Sequence, residues 1–288
     1  MNVAPLALLL IAPLIASCSG DEADSQEIVV PFYALEYVAT QIAGDELEVV
    51  SLAKPGQEPH DMELAISETA EVGKAALVVY EAGFQSAVDD AVDTTDPEHL
   101  VDAAEVANLV SDDNGDEDPH FWLDPRRLIL VADAVRDELV VIDPDSKTTF
   151  DENFATLEGE LTDLDARMAA GLEDCERRTV VVSHDAFRYL GNRYDLTIHA
   201  INGLSPNAEP SPAHIQELRS LIEDEGITTV FSEELASPEL AKTLADDLGL
   251  ETAVLDPAEG LSDETANEDY LSLMDRNLAA LSAALDCA

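Results

Sequence analysis

The sequence predicts an α/β protein of two similar lobes, each built on a four-stranded parallel sheet, joined by one long rigid helix. Three observations carry this expectation. Short apolar, β-branched runs alternate with segments whose apolar residues recur at i, i+3 and i+4 from residue 27 to the end of the chain, the pattern of parallel strands covered by helices. Between residues 144 and 172 the alternation stops, and Phe150, Phe154, Leu157, Leu161, Leu164 and Met168 keep a helical spacing with acids between them. Four strand-like runs precede that stretch and four follow it.

Taken in order, the first lobe (27–143) carries strand runs at 27–31, 47–52, 76–80 and 100–102, with a helical spacing at 33–42 after the first. The connecting helix is expected within 144–177. The second lobe (178–288) carries strand runs at 179–183, 196–200, 228–231 and 252–255, a helical spacing at 215–222, and a terminal helix over 264–285. Helix starts are marked by a capping residue followed by proline, whose missing N–H costs nothing in the first turn: Asp124-Pro125, Asp143-Pro144, Ser211-Pro212 and Ser237-Pro238.

The 288 residues hold 14 Lys+Arg against 62 Asp+Glu, a formal charge of −48. Such a surface excludes nucleic acid as a partner, since phosphate binding needs clustered cations. With 46% hydrophobic residues the chain is too apolar for an acidic disordered polymer. Residues 6–16 form an apolar run too short for a bilayer span of about 20 residues but suited to a secretory signal. The junction Leu14-Ile15-Ala16-Ser17-Cys18 resembles a bacterial lipobox, although no Lys or Arg precedes the run. Residues 1–17 are therefore expected as a signal peptide and 18–26 as an acidic tether, with lipid on Cys18 anchoring the protein to the outer face of the cytoplasmic membrane. In that oxidising compartment the remaining cysteines, Cys175 and Cys287, are a candidate disulfide, the alternative being two separate buried thiols.

In open parallel sheets, ligands bind beyond the carboxyl ends of strands. His60 lies in the loop after the second strand run, stiffened by Pro55 and Pro59. His120 lies just before a capped helix and beside Trp122. His184 ends the first strand of the second lobe, and Asp256 ends the last. Three neutral imidazoles and one carboxylate facing the cleft between lobes form a four-donor set suited to tetrahedral Zn²⁺. Each ligating imidazole needs an acceptor for its other ring nitrogen, for which Glu233 and Asp185 are candidates. His99, His199 and His214 are read as ordinary loop, strand and helix-start residues. The sequence has no H-E-x-x-H, G-x-S-x-G, phosphate loop or C-x-x-C.

The motifs around these positions closely resemble those of the metal-specific solute-binding proteins of ABC importers, the zinc/manganese group that includes the zinc-uptake lipoproteins. They are Pro55-Gly56-x-x-Pro59-His60, Pro119-His120-Phe121-Trp122-Leu123-Asp124-Pro125, Ser183-His184-Asp185-Ala186-Phe187-x-Tyr189-Leu190 and Gly203-Leu204-Ser205-Pro206-x-x-Glu209-Pro210-Ser211. The resemblance spans nearly the whole mature chain. It implies two α/β lobes joined by a long helix, metal in the cleft, and His60, His120 and His184 as ligands. Manganese-type relatives tend to carry Glu at the His184 position, so the third imidazole points to zinc. The fourth ligand is Asp256 in some relatives and water or a nearby Glu in others, with Glu58 and Glu63 the acids near His60. Zinc-type relatives often carry a His-rich loop where this chain has the acidic stretch 111–118, read here as a solvated loop.

The resulting expectation is a monomeric extracytoplasmic receptor, not an enzyme, that captures Zn²⁺ and delivers it to the membrane permease of an ABC importer. A rigid connecting helix implies small movements on loading, with release through loop rearrangement or loss of one ligand. The alternatives are a manganese receptor of the same class, a zinc-dependent hydrolase with water in the fourth position, and a surface adhesion protein.

Overall fold

All eight apolar runs fold as strands. In the computed structural model, which describes residues 26–111, 115 and 117–288, they form two four-stranded parallel sheets. The signal, Cys18 and the tether up to residue 25 lie outside the described residues.

The first sheet takes β1 (Glu27–Val30), β2 (Glu48–Ser51), β3 (Leu77–Tyr80) and β4 (Leu100–Asp102) in the order β2-β1-β3-β4. Its connections are α1 (Tyr33–Ala43), α2 (Ile66–Val72) and α3 (Ser86–Thr95), followed by the short α4 (Ala103–Ala107). A two-stranded antiparallel pair, β5 (Val110–Ser111) and β6 (Glu117–Asp118), was not expected: it closes the ends of the stretch read as a solvated loop, and it buries Asp118 completely.

Next comes α5 (Pro125–Ile142), capped by the Asp124 side chain, which accepts from the Arg126 N–H. Asp143-Pro144 opens only a 3₁₀ turn, so the long helix α6 begins three residues later and spans Lys147–Gly171. Its 25 residues are about 37 Å long at 1.5 Å per residue. The buried face of α6 carries Phe150, Leu157, Leu161, Leu164 and Met168, the spacing seen in the sequence.

The second sheet takes β7 (Thr179–Val182), β8 (Thr197–Ala200), β9 (Thr229–Ser232) and β10 (Glu251–Val254) in the order β10-β9-β7-β8. The helices are α7 (Arg188–Tyr194), α8 (Pro212–Glu225), α9 (Glu239–Leu248) and α10 (Tyr270–Leu285). Ser211 caps α8 as expected. In α9 the cap position falls on Pro238 itself, and α10 starts later than expected, at a capping box between Asp269 and Ser272. α7 packs so tightly on β8 that a Cβ on Gly191 would lie 2.7 Å from Ile198 and 2.9 Å from the Leu196 carbonyl.

Counted from its own first strand, each sheet has the order 2-1-3-4. In both lobes, therefore, the chain reverses direction across the sheet beside the first strand, and the crevice at the strands' carboxyl ends is the expected ligand position. One continuous apolar core runs through both lobes and the connecting helix, including Ile28, Trp122, Leu161, Val182, Phe231 and Tyr270. Hydrogen bonds also cross the cleft: Trp122 Nε1–H donates to Pro257 O at 2.7 Å, Tyr189 Oη–H to Asp118 O at 2.7 Å and the Gly56 N–H to Leu261 O at 2.9 Å. Among the described residues no helix is long and apolar enough to cross a membrane.

Candidate metal centre

Four side chains from both lobes converge at the strands' carboxyl ends. His60 is carried by the β2–α2 loop, whose Gly56 sits at φ +77° and so needs glycine. That loop is pinned where Gln85 Nε2–H donates to Pro59 O at 3.1 Å and the His60 N–H to Glu58 Oε1 at 3.0 Å. His120 follows β6 and is fully buried against the Trp122 ring. His184 sits two residues beyond β7 and is also fully buried. The fourth donor is Glu259, 2% exposed, in the segment after β10.

Their donor atoms form a compact set, all within 4.8 Å of one another. His120 Nε2 lies 3.3 Å from His60 Nε2 and 3.4 Å from His184 Nε2. Glu259 Oε1 lies 3.4 Å from His60 Nε2, 3.2 Å from His120 Nε2 and 3.7 Å from His184 Nε2. A tetrahedral zinc with donors about 2.0–2.1 Å away spaces them about 3.3–3.4 Å apart, so one ion fits among these four atoms with little movement. Glu259 Oε1 is buried without a hydrogen-bond partner, as a carboxylate waiting for a cation would be.

The opposite ring nitrogens of His120 and His184 each face a carboxylate. His120 Nδ1 lies 2.8 Å from Asp118 Oδ1, which also accepts the His120 N–H at 3.0 Å, so the proton stays on Nδ1 and Nε2 presents its lone pair. His184 Nδ1 lies 2.7 Å from Glu233 Oε1. Glu233 follows β9, the strand paired with β7, which is why it reaches His184. Glu233 also accepts from Ser183 Oγ–H.

Without a cation the cluster is strongly coupled. Burial works against a charged His184, yet Glu233 and Glu259 outweigh it and push the imidazole up to about 10. His120 is likewise raised, with burial opposing and Asp118 and Glu259 winning. Burial would raise Glu259, but the three imidazoles hold it well below the usual carboxylate range.

Two expected residues fall elsewhere. Asp256 is buried but is not among the four converging donors; its Oδ1 accepts the Ala258 N–H at 2.8 Å, an Asx turn that supports Ala258 at φ +54°. Asn277 brackets the Asp256 backbone from both sides, at 2.8 and 2.6 Å. The turn built on Asp256 places Glu259, three residues on, over the imidazoles. Asp185 pairs with Arg188 rather than a ligating ring, because adjacent side chains at a strand end point to opposite sides. Its proposed position beside an imidazole is taken by Asp118, two residues before His120. Among the other histidines, His99 lies 2.6 Å from Glu138 and His214 Nε2 lies 2.9 Å from Ala200 O. Glu58 and Glu63 are not among the converging donors either.

Residues 28–284 match the family described as ZnuA, zinc-uptake complex component A, periplasmic. The chain belongs to the ZnuA family. Among its relatives, zinc-binding lipoprotein AdcA of Streptococcus pneumoniae is 35% identical over 301 residues, 98% of this chain and 60% of that protein. The chain thus spans about 60% of the length of the AdcA protein it matches. High-affinity zinc uptake system protein ZnuA of Bacillus subtilis is 30% identical over 96% of this chain and 94% of its own. The crystal structure of the Zn(II)-bound ZnuA-like domain of S. pneumoniae AdcA is 37% identical, with a TM-score of 0.79 over 91% of this chain and 99% of that one. The ZnuA family accounts for the paired parallel sheets, the long helix and a His/Glu cluster in the cleft.

Proposed function

We propose that this chain is an extracytoplasmic receptor that captures Zn²⁺ through His60, His120, His184 and Glu259 and delivers it to the membrane permease of an ABC importer. The observation that carries the reading is the spacing of three imidazole nitrogens and one carboxylate oxygen, with five of their six separations at 3.2–3.7 Å, close to the edge of a zinc tetrahedron, and all within 4.8 Å. Imidazole-rich, four-coordinate geometry favours zinc over manganese, which prefers more oxygen donors. With four protein donors at the four corners, no position is left for a substrate water, which supports a receptor over a hydrolase. The names of the relatives point the same way. Lipid anchoring through Cys18, a monomeric state and the lobe boundaries 27–143, 144–177 and 178–288 complete the proposal.

Calorimetric titration with Zn²⁺ tests it. The native chain is expected to bind one ion, and His184→Ala to lose more than about a hundredfold in affinity, beyond the cost of removing a supporting contact. Equal stoichiometry and affinity in that variant would reject the site.

A further inference from the structure

The four donors differ in what covers them. His120, His184 and Glu259 are all but fully buried, whereas His60 keeps 9% of its side chain in contact with water. Asp118 and Glu233 face the second ring nitrogens of His120 and His184, but no carboxylate among the described residues faces that of His60. What His60 has there is an aromatic neighbour. The Phe84 ring stands edge-on to the imidazole, with centroids 4.8 Å apart, and lies 6.3 Å from the His120 ring. It is wedged against Phe32 at 5.2 Å and Trp122 at 5.7 Å, and is itself half-buried, so it reaches from the aromatic core to solvent. The turn after β3 that presents it is firmly tied. Ala82 N–H donates to Asp102 Oδ1 at 3.1 Å, Gly83 N–H to both Asp89 oxygens at 3.2 Å, and Phe84 N–H to Glu81 O at 3.3 Å. Gln85, the next residue, pins the His60 loop through Pro59 O.

We propose that Phe84 sets the metal selectivity of the centre by keeping water out of the coordination shell on the His60 side. The inference rests on the receptor reading above and adds to it the residue that holds the ion at four donors. Zn²⁺ takes four ligands without penalty, whereas Mn²⁺ favours about six, mostly oxygen. Manganese would reach that number here only by adding waters to the three imidazoles and Glu259. Three of the four donors are buried too deeply to bring water with them. Water can therefore come only from the His60 side, and the Phe84 ring occupies it. An apolar ring gives a water none of the two to four polar partners it needs. The same ring restricts the swing of an imidazole that has no carboxylate behind it, the orienting role that Asp118 and Glu233 fill for the other two. Removing the ring leaves room beside the ion for a water, which takes about 30 Å³.

Titration of the native chain, Phe84→Ala and Phe84→Leu with Co²⁺ tests this, because four-coordinate Co²⁺ absorbs visible light far more strongly than five- or six-coordinate Co²⁺. Competition between Zn²⁺ and Mn²⁺ on each protein gives the selectivity. The native chain and Phe84→Leu, which keeps an apolar wall, are expected to show the intense four-coordinate bands. Phe84→Ala is expected to lose several-fold in band intensity at full occupancy, and about tenfold or more in preference for Zn²⁺ over Mn²⁺. A merely structural loss would weaken both ions alike and leave the spectrum of bound cobalt as it was. That result would overturn the proposal, as would weak bands in the native chain. Should Phe84→Ala not fold, Phe84→Thr decides on the same two readouts. A native chain that binds neither Co²⁺ nor Zn²⁺ would reject the receptor reading and this inference with it.

Discussion

At the scale of single residues, the separation of Asp256 from Glu259 is the sharpest feature of the centre. Glu259→Ala removes a donor at the tetrahedron and should cost zinc affinity more than about a hundredfold. Asp256→Asn keeps an oxygen for the Ala258 N–H and should change affinity by only a few-fold; titrating both variants checks the pair, and the reverse order of effects would return the ligand role to Asp256. The protonation state of the metal-free cluster has its own consequence. Its usual value is 6.5, but His184 is pushed up to about 10 by Glu233 and Glu259 against the pull of burial, so it is charged at neutral pH. Zinc needs the neutral ring, so binding must release at least one proton, and apparent affinity must fall as pH falls. The binding enthalpy should then shift between buffers in proportion to their ionisation enthalpies. The same shift has the opposite sense for the metal-free fold: the stabilisation from His184 is present below 6.5 and is lost as pH rises through about 10. The imidazoles were legible in the sequence because histidine is scarce, 6 in the chain, and three of these fall at strand ends or the loops beyond them. Glu259 was not, because one acid among 62 Asp and Glu carries no signal until the turn at Ala258 aims it.

At the scale of elements, the long helix is held to both lobes by one buried acid. Asp165 on α6 accepts from Arg126 Nε–H on α5 at 2.7 Å and from Arg193 Nε–H and Nη2–H on α7, each at 2.7 Å, with Tyr194 Oη–H at 3.3 Å. Burial would raise Asp165, but the two guanidinium groups hold it below the ordinary carboxylate value. Its stabilisation is therefore present above the unfolded-state value and is lost as pH falls through the lower folded one. Asp165→Ala should cost about 1–3 kcal/mol in urea unfolding, less than a fully buried pair because Arg126 and Arg193 remain partly in water. The α6 helix and all eight strands were readable because their periods, 3.6 and the short β-branched run, persist over enough residues to stand out. The β5–β6 pair was not, since two-residue strands have no period and their pairing depends on the fully buried Asp118. The start of α6 slipped because Asp143-Pro144 caps a 3₁₀ turn, which uses the same residues as an α-helix start.

At the scale of the whole molecule, the apolar core shared by both lobes and a net charge of −48 pull in opposite directions. Screening the repulsion should raise the unfolding midpoint steadily between low and near-molar salt. The continuous core and the bonds across the cleft leave little freedom for the lobes to swing, so small-angle scattering profiles with and without zinc should nearly superimpose. The Cys175–Cys287 disulfide adds a third constraint. It ties the end of α6 to the residue pair after α10, beside an Ala288 N–H to Asp174 O bond of 2.9 Å and an Arg177 N–H to Leu285 O bond of 3.1 Å. This junction sits at the amino end of β7, whereas His184 sits at its carboxyl end, a strand length of about 13 Å away. Replacing both cysteines with serine should therefore separate stability from binding. The loop of 112 residues no longer closed in the unfolded chain should lower stability by about 2–5 kcal/mol. Zinc affinity should stay within a few-fold of the native value, because the imidazoles and Glu259 are positioned by strand ends and turns that the disulfide does not touch. A matching collapse of zinc binding under conditions where the variant remains folded would show that the far pole of the second lobe sets the geometry of the centre.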